Sequence, residues 1–335
     1  MVIGVFLILT LVCLIFPSHL PSSVYALQGG SGGNAPVPAP ATPPTGTALT
    51  QFREFSSGGW DVVIYNGNVE FYGDTATVNL AWTTPFSALD AAKTTYIVAD
   101  GQTNWPVKSA LFKSLTVVPP DAFPGAEGAF WDTLNVQVTS HMVGGDTSAS
   151  AGVQSDFGGQ GGDADCLVYV AQVFGHGPTS ALAGYVASGV GLRGLTSGTI
   201  TISGIPAGTN VIGAFLYFTI LADTSPMATM MLNGVDIGSR AVPIGSGPSP
   251  CWAPTSSFSF RYDVTNLIPG NGAYTLTNFP TNPDLYLDEG ASLVIVFGPS
   301  VIPEYPLGLP LLAIFIVIAY GVIRRKPRNQ FTRRS

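Results

Sequence analysis

The run Thr75-Ala76-Thr77-Val78-Asn79-Leu80-Ala81-Trp82 puts Ala76, Val78, Leu80 and Trp82 on one side and Thr75, Thr77, Asn79 and Ala81 on the other. A period of two marks a strand with one face in a core and the other in water. The same alternation recurs outward along the chain, with Leu134, Val136 and Val138 on one face, and Phe258, Phe260 and Tyr262 on another. Residues 167–174, 211–221 and 291–297 are nearly continuous apolar runs, as expected of strands covered on both faces. Shorter strands fit 94–98, 113–118, 199–202, 227–232, 235–237 and 274–276. Asn66-Gly67 and Asn233-Gly234 accept the positive φ values of a type I′ turn, predicting one hairpin from 61–65 and 68–72 and another around 233–234. Residues 87–93, led by Ser87, are the one helix expected before the C-terminal region.

The two ends have a different character. Residues 307–323 form an uncharged apolar run, preceded by Pro303-Glu304-Tyr305-Pro306 and closed by Arg324-Arg325-Lys326. As a helix it would span ~25 Å, near the lower limit for crossing a hydrocarbon core. Six of the 13 basic residues lie beyond it, the arrangement of a cytoplasmic tail. At the other end an apolar run over 2–16 and the pattern Val24-Tyr25-Ala26 predict a signal peptide cleaved after Ala26, although its start carries no Lys or Arg. The uncleaved alternative is an N-terminal membrane helix. These readings expect a single-pass protein of the cell membrane, its ectodomain outside and its C-terminus in the cytoplasm, with membrane lipid as a partner.

Between the two apolar segments seven basic residues face 20 acidic ones, a formal balance of −13. Such a surface repels phosphate backbones, which excludes nucleic acid as a partner. The 40 Gly and 27 Pro approach low-complexity usage, but 19 Phe, 12 Tyr and 5 Trp supply ample material for a core. Residues 27–50 read as a Gly/Pro/Ala/Thr-rich linker, 51–157 and 158–300 as two β-regions, 301–306 as a Pro-rich membrane approach and 324–335 as the basic tail. The stretch 144–165 is Gly-rich and acidic and reads as a loop, with 144–162 as the preferred boundary.

With the signal removed, Cys166 and Cys251 remain, an even count that in an exported chain favours a disulfide. Asp156, Asp163 and Asp165 offer oxygen ligands to Ca²⁺, the one cofactor considered; the competing reading is a solvated loop, since the spacing matches no Ca²⁺ loop pattern. Three other motifs dissolve in context. Gly29 to Gly33 matches the nucleophile-elbow pattern but lies in the linker, without the strand and helix an elbow needs. Gly189 to Gly194 matches the dinucleotide fingerprint but is followed by a strand, so no helix N-terminus is available for pyrophosphate. His141 and His176 read as surface or turn residues, although His176 with Asp163 and Asp165 upstream sketches a base and its orienter for an anchored hydrolase.

The ordered set Ala214-Phe215-Leu216-Tyr217-Phe218, Leu232-Asn233-Gly234, Cys251-Trp252, Tyr262-Asp263-Val264-Thr265, Gly270-Asn271-Gly272 with Tyr274, and Gly290-Ala291-Ser292-Leu293-Val294 resembles a group of secreted archaeal and bacterial surface domains of unknown function. That resemblance covers roughly 199–297, implies jelly-roll-like β-sandwich character and brings no catalytic residues. The C-terminal end is similar to the tripartite sorting tails of archaeal surface proteins, with Pro303, Glu304, Tyr305 and Pro306 in the motif position, and implies an archaeosortase-like transpeptidase as a partner. Tyr305 departs from the Phe often found there.

The expected fold is therefore all-β, one or two antiparallel β-sandwich modules of jelly-roll-like character plus a C-terminal transmembrane helix. The expected function is non-enzymatic: a surface protein with a structural, adhesive or ligand-binding role, its partner a cell-surface glycan or protein. Trp60, Trp105, Trp131 and Trp252 are candidates for stacking on sugars, with core packing as the alternative.

Overall fold

The computed structural model describes residues 40–300 except 103–104, 106, 129, 159–163, 226–228, 250, 252–254 and 280–285, together with Phe315, Ile316, Ile318 and Tyr320. In chain order the strands are β1 (Thr42–Ser57), β2 (Trp60–Tyr72), β3 (Thr75–Ala81), β4 (Asp90–Ala99), β5 (Lys108–Phe112), β6 (Leu115–Val118), β7 (Trp131–Gln137), β8 (Ser148–Ser155) and β9 (Cys166–Pro178). They continue with β10 (Gly184–Gly191), β11 (Ser197–Ile202), β12 (Thr209–Ala222), β13 (Met231–Leu232), β14 (Val235–Asp236), β15 (Ala241–Pro248), β16 (Ser256–Asp263), β17 (Gly272–Thr277) and β18 (Tyr286–Pro299).

Every pairing is antiparallel. The sheets are β1-β2-β9-β4-β7, β3-β8-β5-β6, β10-β18-β12-β16-β15 and β11-β17-β13-β14. The first two enclose one core, built around Val63, Phe71, Leu80, Tyr96, Phe112 and Phe174. The last two enclose a second, around Leu216, Phe218, Ile220, Tyr262, Leu276 and Leu293. A third core, with Val62, Ile64, Ile97, Trp131, Val173, Phe215, Tyr217 and Val294, joins the two five-stranded sheets face to face. The result is four layers, small sheets outside and large sheets inside.

This layering explains the continuous apolar runs. In β12, Leu216 and Phe218 face the second core while Phe215 and Tyr217 face the third. In β9 a bulge at Val170, where pairing with both β2 and β4 skips a residue, flips the alternation. Leu167 and Tyr169 before it and Phe174 after it all reach the first core, while Val168, Val170, Ala171 and Val173 reach the third. The large sheets also cross one another. Gly290 at the start of β18 lies against Trp131 of β7, and Gly298 near its end lies against Ser57 of β1, at the opposite edge of the facing sheet.

Several expectations are corrected. Asn66-Gly67 is no hairpin turn but the middle of the unbroken strand β2. Its glycine serves a close approach, since a Cβ on Gly67 would lie 2.6 Å from Thr47 O and 2.7 Å from Ala48 O in the bulged part of β1. Asn233-Gly234 does turn the β13–β14 hairpin, with φ of 49° and 78°. The helix expected at 87–93 is one turn, closed by Asp90 N–H donating to Ser87 O at 3.0 Å, before β4 pairs with β7 and β9. Ladders on both sides outweigh a weak local helical preference. The strand expected at 113–118 is broken by Lys113 and Ser114, at φ of 50° and 62°, into the hairpin β5–β6.

The stretch 144–165, read as a loop, contains β8, whose Ala149, Ala151 and Val153 alternate into the first core. Small side chains made that strand inconspicuous. β1 begins at Thr42, so the linker assigned to 27–50 ends inside a strand. The unit boundary also moves: β9 lies at the centre of the first large sheet, so the first sandwich extends to Pro178 rather than 157.

Phe315, Ile316, Ile318 and Tyr320 of the C-terminal apolar run are helical and exposed. Among the described residues no helix is long and apolar enough to cross a membrane. The rest of 307–323, Pro303 to Pro306, Arg324, Arg325, Lys326 and residues 1–26 lie outside the described residues.

Candidate functional site

The C-terminal ends of β2 and β4 and the N-terminal ends of β7 and β9 meet the start of β18 and the turn after β10 at one end of the molecule. There Cys166, first residue of β9, forms a disulfide with Cys251, in the β15–β16 connection of the second sandwich, with Cα atoms 6.3 Å apart. The bond joins the two sandwiches, beside Tyr72 and Ala164.

Around it the structure buries charge. Glu70, Asp100, Asp165, Glu289 and Lys108 have no measurable exposure beyond a trace at Asp165. Lys108, first residue of β5, sits 3.1 Å from Asp165 Oδ2 and 3.7 Å from Asp121 Oδ1, and donates to the carbonyls of Gln102 and Trp105. Asp165 Oδ2 also accepts from Gln102 N–H at 2.9 Å. Arg193, in the turn after β10, bridges Asp100 at 3.1 Å and Glu289, and its guanidinium stacks 3.5 Å from the centre of the Phe130 ring. One sandwich thus supplies Asp100 and the other Arg193 and Glu289.

Burial dominates the proton affinities. It pushes Glu70 up to about 8, opposed by a hydrogen bond with Ser257. The Ser257 hydroxyl is 2.7 Å from Glu70 Oε2 and 3.0 Å from Asn68 Oδ1, yet has one hydrogen to give. Asn68 Oδ1 and Glu70 Oε2 compete for that one hydrogen, which limits how far Ser257 offsets the burial. Burial likewise raises Asp165 well above the usual carboxylate range, with Lys108 opposing and Asp100 reinforcing. Asp132 rises to about 6, restrained by the backbone N–H groups of Ala126 and Gly125, and Glu127 to about 7, restrained by Thr133. The cluster combines proton-holding carboxyls with others clamped by a guanidinium. That is the raw material of acid–base chemistry and equally of a desolvated polar joint.

Of the residues singled out by sequence, Cys166 and Cys251 come together. Asp165 joins the buried cluster, where the Lys108 ammonium occupies the place a cation would take beside it. Asp156 is exposed and Asp163 lies outside the described residues. Among the described residues no group of three His, Cys, Asp or Glu is arranged to hold a metal.

His176 is neither a surface nor a turn residue. It is buried in β9, with Nδ1 3.1 Å from Asp90 Oδ2, so its orienter is Asp90 rather than Asp163 or Asp165. Trp82, Phe86 and Phe174 wall the ring at centroid distances of 5.6–5.9 Å, and Nε2 has no hydrogen-bond partner. Trp60, Trp105 and Trp131 are packed, each indole N–H donating internally, to Pro178 O, Gln102 Oε1 and Ser292 Oγ. Trp252 lies outside the described residues.

Sequence reasoning passed over Glu70, Asp100, Lys108, Arg193 and Glu289. The available signal was a charge set among strand-forming residues, as in Val69-Glu70-Phe71, in a chain with only 10% charged residues. A separate open cleft of about 490 Å³ lies where β15 meets β1, lined by Thr47, Ser225, Pro243, Ile244, Gly245, Ser246, Phe258, Ser259 and Phe260. It brings hydroxyls and backbone groups together with two phenylalanines that also pack on the second core, and no titratable side chain lines it.

No family model and no curated protein matches the chain. Among solved structures it is similar to a glycoside hydrolase family 86 enzyme in complex with neoagarooctaose, at 8% identity and a TM-score of 0.27, over 75% of this chain and 36% of that one. It is similar also to a peptide-N(4)-(N-acetyl-β-D-glucosaminyl) asparagine amidase, at 10% identity and a TM-score of 0.24, over 75% and 96% of the two chains. A conserved protein of unknown function from Pseudomonas aeruginosa matches at 8% identity and a TM-score of 0.25, over 78% of this chain and 100% of that one. The chain thus spans about a third of the length of the family 86 hydrolase. At these identities and TM-scores the activities of those proteins do not transfer.

Proposed function

We propose that this is a membrane-anchored extracellular protein whose two docked sandwiches form a rigid, non-enzymatic structural, adhesive or ligand-binding unit at the cell surface. The observation that carries this reading is the Cys166–Cys251 bond across the two sandwiches, because a disulfide holding two units together persists in an oxidising compartment. The buried cluster supports it. Arg193 of the second sandwich, paired with Asp100 of the first and with Glu289 of its own, ties the joint together, while Lys108 and Asp165 pair within the first sandwich beside it. The apolar run 307–323 with its basic tail supplies the anchor, and Pro303 to Pro306 the point at which a sorting transpeptidase would act.

Protease treatment of intact cells tests the topology: the chain is digested from outside while an epitope on the basic tail survives. A chain protected until the cells are broken overturns the reading. For the C-terminal motif, mass spectrometry of the native C-terminus decides. A peptide containing 307–323 in the mature protein rules out exchange of the helix for another attachment.

A glycan is the second reading of the ligand, favoured by the β1–β15 cleft, whose volume falls in the range of small-molecule sites and whose lining includes the half-buried Phe258. Retention on a glycan array, lost in Phe258→Ala, supports it; no retention of the unaltered chain at millimolar glycan overturns it.

A further inference from the structure

The loop tips of the first sandwich at the end opposite the disulfide carry exposed aliphatic side chains. Leu89 is 83% exposed, Val143 65%, Leu115 57% and Leu182 50%. Among the described residues of the two sandwiches, Leu89 and Val143 are the most exposed large apolar ones. Pairing puts all four at one end. Asp90, next to Leu89, pairs with Pro178, from which the loop carrying Leu182 departs. Lys93 pairs with Gln137, which leads into the connection bearing Val143. Lys113, two residues before Leu115, is ion-paired with Asp146 of that same connection.

The chain leaves the fold at this end too. A Cβ on Gly58, in the β1–β2 turn, would meet both Ala183 and Pro299 at 2.9 Å, so the last residue of β18 lies beside the Leu182 loop. From there only residues 300–306 separate the fold from the apolar run 307–323. Seven extended residues reach at most ~24 Å. β18, with 14 residues, is itself ~46 Å long. A connector half the length of the strand holds the Leu182 end near the bilayer and the disulfide end away from it.

We infer that Leu89, Val143, Leu115 and Leu182 are a lipid-docking surface, four aliphatic tips that enter the outer leaflet and set the ectodomain upright on the membrane. The inference rests on the anchor reading of 307–323. Apolar faces of interfacial helices lie ~5–10 Å deep, at the boundary between headgroups and acyl chains, and these tips should reach the same boundary. Lys113 is engaged by Asp146, so the contact is apolar rather than electrostatic and does not depend on anionic lipid.

The test uses the full chain reconstituted in phosphatidylcholine vesicles, in a Cys13→Ser background, with an environment-sensitive fluorophore placed through Leu89→Cys, Val143→Cys or, as the remote control, Leu195→Cys. Probes at 89 and 143 should show apolar emission and several-fold stronger quenching by lipids carrying a shallow nitroxide than the probe at 195, unchanged in high salt. Probes at 89 and 143 as water-exposed as the one at 195 overturn the docking surface. Alkaline flotation reads the anchor separately: a chain held in vesicles with its tips in water refutes docking alone, whereas a chain released by alkali with its tips quenched refutes the anchor alone. Two independent label positions keep the test decisive if one variant fails to fold.

Discussion

Trp131 of β7 lies on the backbone of Gly290 in β18: a Cβ at Gly290 would come 2.6 Å from indole Cδ2, and the indole N–H donates to Ser292 Oγ at 2.9 Å. This contact spans the two sandwiches, with the Thr133 hydroxyl 2.6 Å from the same serine. Shape and hydrogen bonding here determine how closely the large sheets approach.

Gly290→Ala should therefore destabilise by about 1–3 kcal/mol through overpacking, and Trp131→Ala by about 3–5 kcal/mol through the cavity it leaves. Chemical denaturation measures both. A neutral Gly290→Ala would mean that the sheets shift freely over one another.

Lys108→Met should cost about 3–5 kcal/mol, because it leaves the Asp165 carboxyl and the carbonyls of Gln102 and Trp105 buried without their donor. Lys108→Met combined with Asp165→Leu should recover much of that loss. If the double variant is no better than the single one in urea titration, the pair is not the coupled unit described above.

Reduction, or Cys166→Ser, should lower stability by about 2–5 kcal/mol, since the bond closes a loop between residues 85 positions apart. Thermal melts with and without reductant give the measurement. Equal midpoints would show that the third core alone fixes the two sandwiches.

Stability should fall as pH rises from about 4.5 to 8. Glu70 keeps its proton in the folded state up to about 8, whereas in the unfolded chain it releases it near 4.5. Across that interval the unfolded state binds fewer protons, so raising the pH favours unfolding, and the effect levels off above the folded value. Glu127, raised to about 7, and Asp132, raised to about 6, act in the same direction. The midpoint of thermal unfolding should be higher at pH 5 than at pH 8, with a smaller difference in Glu70→Gln. An opposite slope, unchanged by the substitution, would contradict a neutral Glu70.

Local chemistry was legible wherever one strand answered to one core. The alternation of 75–82 reappears as β3, with Ala76, Val78 and Leu80 inside and Thr77, Asn79 and Ala81 outside. Asn233-Gly234 turns as its φ requirement implies. Asn66-Gly67 has the same chemistry and does the opposite, because Asn66 Oδ1 accepts from Arg261 of the other sandwich at 2.7 Å and Gly67 makes room for β1. A turn signal states what a glycine permits; the surrounding chain decides whether close approach or reversal uses it. β8 escaped notice because Ser, Ala and Gly carry little hydrophobic contrast, and the helix expected at 87–93 yielded to ladders made with residues more than forty positions away.

What the sequence by itself determined is strand content, the alternating faces, and the two cysteines available to pair. The tertiary structure alone decided which core each face meets, where the first sandwich ends, and which charges are buried together. The reason is physical. Apolar periodicity reports that a side chain leaves water without naming its neighbours, whereas Glu70 and Ser257, 187 residues apart, acquire their shared proton only after two sheets have docked and excluded the solvent.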